Sequence, residues 1–362
     1  MNPVVSRPHP NRRAKAAVAA LLGGLAAVMA PALAPVMVPV ARAHGGSVPV
    51  VPPDAANLLF TWSGDPLVWL PAIVALVLWW LGVRSVNRAH PANPVPRSRS
   101  VAWTLGVVAV LFALDSGIER YDTTLFWVHM IQHMLLTLVA PLLLLSAGPI
   151  TLLLRAASPE TRRRWILPLL HARVVRVLSF PVVSWLLFAG VMWASHFSPL
   201  FEAALENEWI HRLEHGLFLG SALLFWWPVA GPDPSPWRMK PAAKVLYVGL
   251  QMPQNTFLAL AIYMSSVPLY QHYVTTGRTW GPTPLEDQQG AGAIMWLGGD
   301  LVFLTVVILL VWAWMRDDER RTVGEDRRLE PERAAIRERE VRLAARRVAE
   351  AAAREGGGPG GG

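Results

Sequence analysis

Seven apolar stretches, each close to 20 residues long, restrict this chain to a bundle of membrane-crossing helices. They fall at about 66–84, 101–118, 125–146, 181–200, 209–230, 244–267 and 291–315. In hydrocarbon the backbone must satisfy its own hydrogen bonds, so runs of this length are read as α-helices. Of the 362 residues 53% are hydrophobic and 16% charged, where soluble domains carry about a quarter charged. The expected fold is all-α: a polytopic bundle of seven transmembrane helices after an N-terminal signal peptide.

The signal is read from Arg12, Arg13 and Lys15, a largely apolar run over 16–40, and Ala41-Arg42-Ala43 as an A-x-A-like cleavage site. Prolines at 31, 35 and 39 make the end of that run a poor helix, which favours cleavage over an uncleaved anchor. The expected organisation is therefore a signal over 1–43, an external segment over 44–65, a membrane domain over 66–315 and a charged tail over 316–362. Loop charge sets the orientation. Loop 85–100 carries Arg88, Arg97 and Arg99, loop 155–180 carries six arginines, and loop 231–243 carries Arg238 and Lys240. The alternate loops hold only Arg120 and Arg278, and 44–65 has no Lys or Arg. By the positive-inside rule the N-terminus lies outside and the C-terminus in the cytoplasm. The Arg/Glu-rich tail reads as a marginal helix or disordered, with affinity for anionic lipid rather than nucleic acid, and the net charge of +8 needs no nucleic-acid partner.

Histidine is the chemistry this chain carries. There are ten and no cysteine, which excludes disulfides and thiolate metal sites. His129 and His133 open the third apolar stretch, and His211 and His215 open the fifth; each pair is spaced four apart, on one helix face. His196 ends the fourth, so all five imidazoles fall near the outer surface. A single histidine there commonly bonds water, a headgroup or a carboxylate. Two pairs plus His196 at one depth point instead to metal ligation. Imidazole suits copper, zinc, iron and nickel, and thioether suits reduced copper, which makes Met130 and Met134 further candidate ligands. Asp115 and Glu214 are candidates to orient the free ring nitrogens from behind. His44 joins the candidates if cleavage after Ala43 makes it an N-terminal chelator. Asp287, Gln288 and Gln289 share the outer face as candidate contacts to a partner, or as a cap on the seventh helix.

Other chemistries compete. His211-x-x-Glu214-His215 matches the H-x-x-E-H pattern of zinc proteases, which makes a membrane-embedded zinc hydrolase an alternative. A retinal protein is excluded, since 291–315 has no lysine. Stacked haems would need histidine pairs at two depths.

The chain resembles the multi-span cytochrome c oxidase assembly factors of the CtaG type. The blocks that carry the resemblance are Tyr121 with Phe126-Trp-Val-His129-Met-Ile-Gln-His133, Ala140-Pro141 with Gly148-Pro149, and His196-Phe-Ser-Pro199. They continue with His211-Arg-Leu-Glu214-His215, Trp226-Trp227-Pro228, Pro268-Leu-Tyr270 and Leu285-Glu-Asp287-Gln288-Gln289. One departure is the single Pro141 where the family pattern leads us to expect two prolines. The resemblance implies a plasma-membrane protein that is not an enzyme, whose partners are cytochrome c oxidase subunits, and which binds and delivers copper at the outer face. His129, His133, His211 and His215, with His196, read from their spacing and depth, are the candidate ligands for that copper. A metal-free scaffold for oxidase subunits is the remaining alternative.

Overall fold

The computed structural model describes Pro49 and residues 51–356. The expected signal segment 1–43 and His44 lie outside the described residues. All regular structure among the described residues is helical. In chain order the principal helices are α1 (Pro66–Ala89), α2 (Arg97–Asp122), α3 (Phe126–Ala156), α4 (Pro181–His196), α5 (Pro199–Glu206), α6 (Glu208–Trp226), α7 (Pro241–Tyr263) and α8 (Pro284–Thr322).

Helix α1 shows why these segments belong in lipid. Asp65 caps it by accepting from Leu67 N, and Pro66 stands at the first helical position, where its missing N–H costs nothing. Val68, Ala72, Ala75, Trp79, Val83 and Val86 are buried at helical spacing, while Leu70, Ile73, Val77, Trp80 and Leu81 are exposed. A helix apolar on both faces needs an apolar medium on its outer side. Trp79 stacks on Trp103 of α2, with centroids 4.8 Å apart, and donates to Ser100.

Helix α3 is the central element: its first turns pack on α8, its middle on α6 and α2, and its last turns on α1. Gly106 of α2 permits the close crossing, because a Cβ there would stand 2.8 Å from Leu144 Cγ. The helix is interrupted twice. A π-helical turn spans Leu135–Val139, and Gly148 adopts φ +77° before Pro149 restarts the helix. The freed N–H groups of Ile150 and Thr151 donate to Asp233 at 3.0 and 2.7 Å. Burial raises the Asp233 carboxyl above its ordinary pKa, against the pull of those donors.

Two breaks escape a periodicity reading. Ser116 has extended backbone, so Gly117–Asp122 is a separate turn that Ser116 caps. Between α4 and α5 the axis bends by 68°, with Ser198 capping Leu200 N and Pro199 opening α5. The stretch expected to be an external loop over 201–208 is thus largely helical and folds back over the bundle.

Five helices (α1, α2, α3, α7, α8) are long and apolar enough to cross a membrane, and the bent pair α4–α5 counted as one makes six. This is a multi-pass membrane protein. Helix α6 falls short of the same measure because its first two turns hold Glu208, Arg212, Glu214 and both histidines. The chain divides into two compact units at Val307/Ile308. In the second, the tail expected to be marginal is helical to Gly356, with i,i+4 pairs such as Arg342–Glu338 and Arg346–Glu350.

Candidate metal centre

The i,i+4 spacing does what helical geometry requires. His129 and His133 of α3 have ring centroids 4.1 Å apart, and His211 and His215 of α6 are 4.2 Å apart. Helix packing then brings the pairs together: His129 stacks on His211 at 5.3 Å, and His196 at the end of α4 lies 5.6 Å from His133. All five rings are buried.

Carboxylates complete the cluster. The ligand atoms of Asp122, His129 and His211 lie within 4.8 Å of one another, and so do those of His129, His133 and Glu214. His129 belongs to both triads. Asp122 stands 3.7 Å from His211 Nε2. Both ring nitrogens of His129 and His133, Nε2 of His196 and both oxygens of Glu214 have no hydrogen-bond partner among the described residues. Buried polar atoms are normally paired, and leaving one bare costs about 1–3 kcal/mol. A set of bare nitrogens and oxygens facing one another fits a cation, which would replace the missing partners. Imidazole and carboxylate together are a donor set for copper or zinc.

Aromatic rings pack around the cluster. Phe201, carried over the cluster by α5, stands 4.9 Å from His129 and 5.6 Å from His196, and Phe218 lies 4.1 Å from His133. Tyr270 and Tyr273, from the segment after α7, pack on Phe126 and donate to the carbonyls of His196 and Asp122. Burial pushes both phenols above their ordinary pKa, so they stay protonated and donating.

Several expectations change on this geometry. Asp115 is not in the cluster: it accepts from Gly64 N, Asp65 N and Trp69 Nε1 at 3.0, 2.8 and 2.6 Å, tying down the entry to α1. The break at Ser116 is the reason, since it takes Asp115 off the helical turn that carries Asp122. Glu214 faces His129 and His133 directly rather than standing behind them. His215 sits on the flank, with Nε2 3.0 Å from Gln132 Oε1, while Gln132 Nε2 donates to Ala113 O. Asp287 and Gln288 are buried, with partners inside the chain. Asp287 accepts from Phe126 N and Trp127 N and pairs with Arg278, so it caps α3, not the seventh helix as expected. Gln288 accepts from Leu269 N and donates to Ile262 O and Val267 O. Gln289 is half-buried. Met130 and Met134 line an adjacent cavity together with His133. Asp122 and Phe201 are the members a sequence reading misses. Asp122 was legible only as one of three acidic residues before α3, and Phe201 only as part of an expected loop.

The bundle and its buried cluster define a helical membrane protein with a polar centre suited to metal. The profile of the cytochrome c oxidase caa3 assembly factor family matches residues 59–317. An uncharacterized protein of Mycobacterium leprae is 34% identical over 283 residues, covering 76% of this chain and 43% of the relative. Uncharacterized proteins of Mycobacterium bovis and Mycobacterium tuberculosis are each 32% identical, covering 76% of this chain and 42% of theirs. The chain thus spans less than half the length of these relatives. No solved structure matches it. The chain belongs to the cytochrome c oxidase caa3 assembly factor family.

Proposed function

We propose that this protein assists assembly of cytochrome c oxidase by holding copper in the buried cluster and passing it to oxidase subunits, without turnover of its own. On this reading the chain crosses the plasma membrane seven times, α6 and the α4–α5 pair each counted as one crossing, and the cluster lies near the outer face. The N-terminus is then outside and the C-terminus cytoplasmic, in accord with the loop arginines. Helix α6 crosses despite its charges because Arg212 is paired with Asp65 and Glu208, and Glu214 faces the bundle interior.

The observation that carries this reading is the convergence of His129, His133 and Glu214, whose ring nitrogens and carboxylate oxygens have no hydrogen-bond partner among the described residues. His129 with His211 and Asp122, or with His133 and Glu214, would hold the ion, and His196 is close enough to His133 to join. Copper is favoured because the target is a haem–copper enzyme. In this role the ion is cargo, and a cluster offering two overlapping triads lets it shift between donors without a permanent ligand set.

Metal analysis of purified protein tests it. Wild type is expected to bind copper at the histidine cluster, and His129→Ala/His211→Ala to lose the copper ligated there by nitrogen and oxygen, with copper-deficient oxidase in cells. A metal-free wild type, or full copper content of the oxidase in the double variant, overturns the reading in favour of a scaffold. One observation favours a zinc hydrolase as second reading: Glu214 also lines an open apolar groove of about 250 Å³ with Leu186, Leu187, Val191 and Leu217. That reading requires turnover that Glu214→Gln abolishes while metal is retained.

A further inference from the structure

Beside the histidine cluster, between α3, α4, α7 and α8, is a cavity of about 20 Å³. That is room for one water or one bare ion. Met130, Met134, Met192 and Met295 line it, with His133 and Gln251. Four of the chain's 11 methionines thus converge from three helices on one ion-sized space.

Gap-filling is the ordinary work of methionine, and a dry apolar hole would be its ordinary result. Three features here differ from that. His133 and Gln251 are each 1% exposed; neither His133 nitrogen, nor Gln251 Oε1, has a hydrogen-bond partner among the described residues. The side chain of Met134 is accommodated by a missing Cβ: one on Gly298 would lie 2.6 Å from Met134 Cε and 3.3 Å from Sδ. Finally, the π-helical turns Leu135–Val139 and Ile294–Gly298 both border the cavity, the second contributing Met295. Such turns concentrate at functional sites, since they re-aim side chains that a regular helix would turn away.

Thioether sulfur is a soft donor, selective for monovalent copper over zinc or divalent copper. We propose that this cavity is a second, deeper metal site, specific for reduced copper, with His133 as the wall it shares with the histidine cluster. The proposal rests on the reading of that cluster as a copper site and adds to it a neighbouring place of different selectivity. An ion moving from the cluster to the cavity would exchange nitrogen and oxygen donors for sulfur, with His133 able to remain bound throughout. Copper enters and leaves this step in the monovalent state, so no electron is transferred.

The test uses the purified full chain, titrated without oxygen with Cu(I) against a chromogenic Cu(I) chelator, and separately with Ag(I). Three proteins are compared: wild type, Met130→Leu/Met134→Leu/Met192→Leu/Met295→Leu, and His129→Ala/His211→Ala. Leucine for methionine conserves volume, so packing is largely kept. The quadruple leucine variant is expected to bind Cu(I) at least tenfold more weakly and to lose sulfur scattering from its X-ray absorption spectrum, while retaining Zn(II) at the histidines. The histidine variant is expected to lose Zn(II) and to keep a sulfur-ligated Cu(I). Unchanged Cu(I) affinity in the leucine variant, or no sulfur around wild-type copper, overturns the proposal and leaves the histidine reading standing. Should the quadruple variant fail to fold, Met192→Leu and Met295→Leu are measured singly; each is expected to weaken Cu(I) and leave Zn(II) unchanged, and wild-type Cu(I) affinity in both overturns the proposal. Cu(I) held by sulfur in a wild type whose histidines bind no metal would sink the histidine reading alone.

Discussion

Replacing Asp287 by alanine should be the most damaging single change outside the histidine cluster. The carboxylate is 1% exposed and accepts from Phe126 N and Trp127 N, each at 3.0 Å, where α3 begins. It also lies 3.2 Å from the guanidinium of Arg278, whose side chain is 5% exposed. Removing it strands a buried cation, which costs about 3–5 kcal/mol, and takes away a cap of about 0.5–2 kcal/mol. One carboxylate does both, so the terms overlap and the first sets the scale. For a bundle of this size that is a fall in melting temperature of roughly 6–20 °C. Thermal unfolding of the detergent-solubilised protein, followed by helical circular dichroism, measures it. Asp287→Ala/Arg278→Leu should recover most of the loss, because the stranded charge goes with its partner. Since Phe126 lies one turn before His129 and stacks on Tyr273, a frayed start to α3 should also weaken metal binding. An Asp287→Ala protein that melts with the wild type, or a double variant worse than the single, would refute the reasoning.

Gln132→Leu removes the bonds to His215 Nε2 and Ala113 O, and should cost about 1–3 kcal/mol in the same melt. If His215 helps to position His211, metal affinity by competition should also fall about 10–100-fold. Gly106→Ala should destabilise by about 1–3 kcal/mol, because its Cβ would crowd Leu144, whereas Gly190→Ala, with nothing within 4 Å, should be neutral or slightly stabilising.

Where the helices lie was legible because apolar runs and flanking arginines are properties of consecutive residues. The four paired histidines were legible for the same reason, since i,i+4 spacing fixes a shared face whatever the packing, and His196 by its place at the end of an apolar run. The acidic members were harder. Asp115 and Asp122 are seven residues apart, two turns of an unbroken helix, and only the extended backbone at Ser116 separates their roles. Asp287 and Asp233 cap helices 161 and 83 residues away in sequence, so no local pattern could reveal what they bond.

What the chain determines by itself is its medium and its helical periodicity: the length of each apolar run, and which histidines share a face. Tertiary structure alone decided that faces from α3, α4 and α6 meet, that Asp122 joins them while Asp115 does not, and that four methionines surround one small cavity. The reason is physical. Periodicity fixes a side chain's direction about its own helix axis, whereas convergence depends on where helices break and cross, and those points are set by contacts between residues distant in sequence.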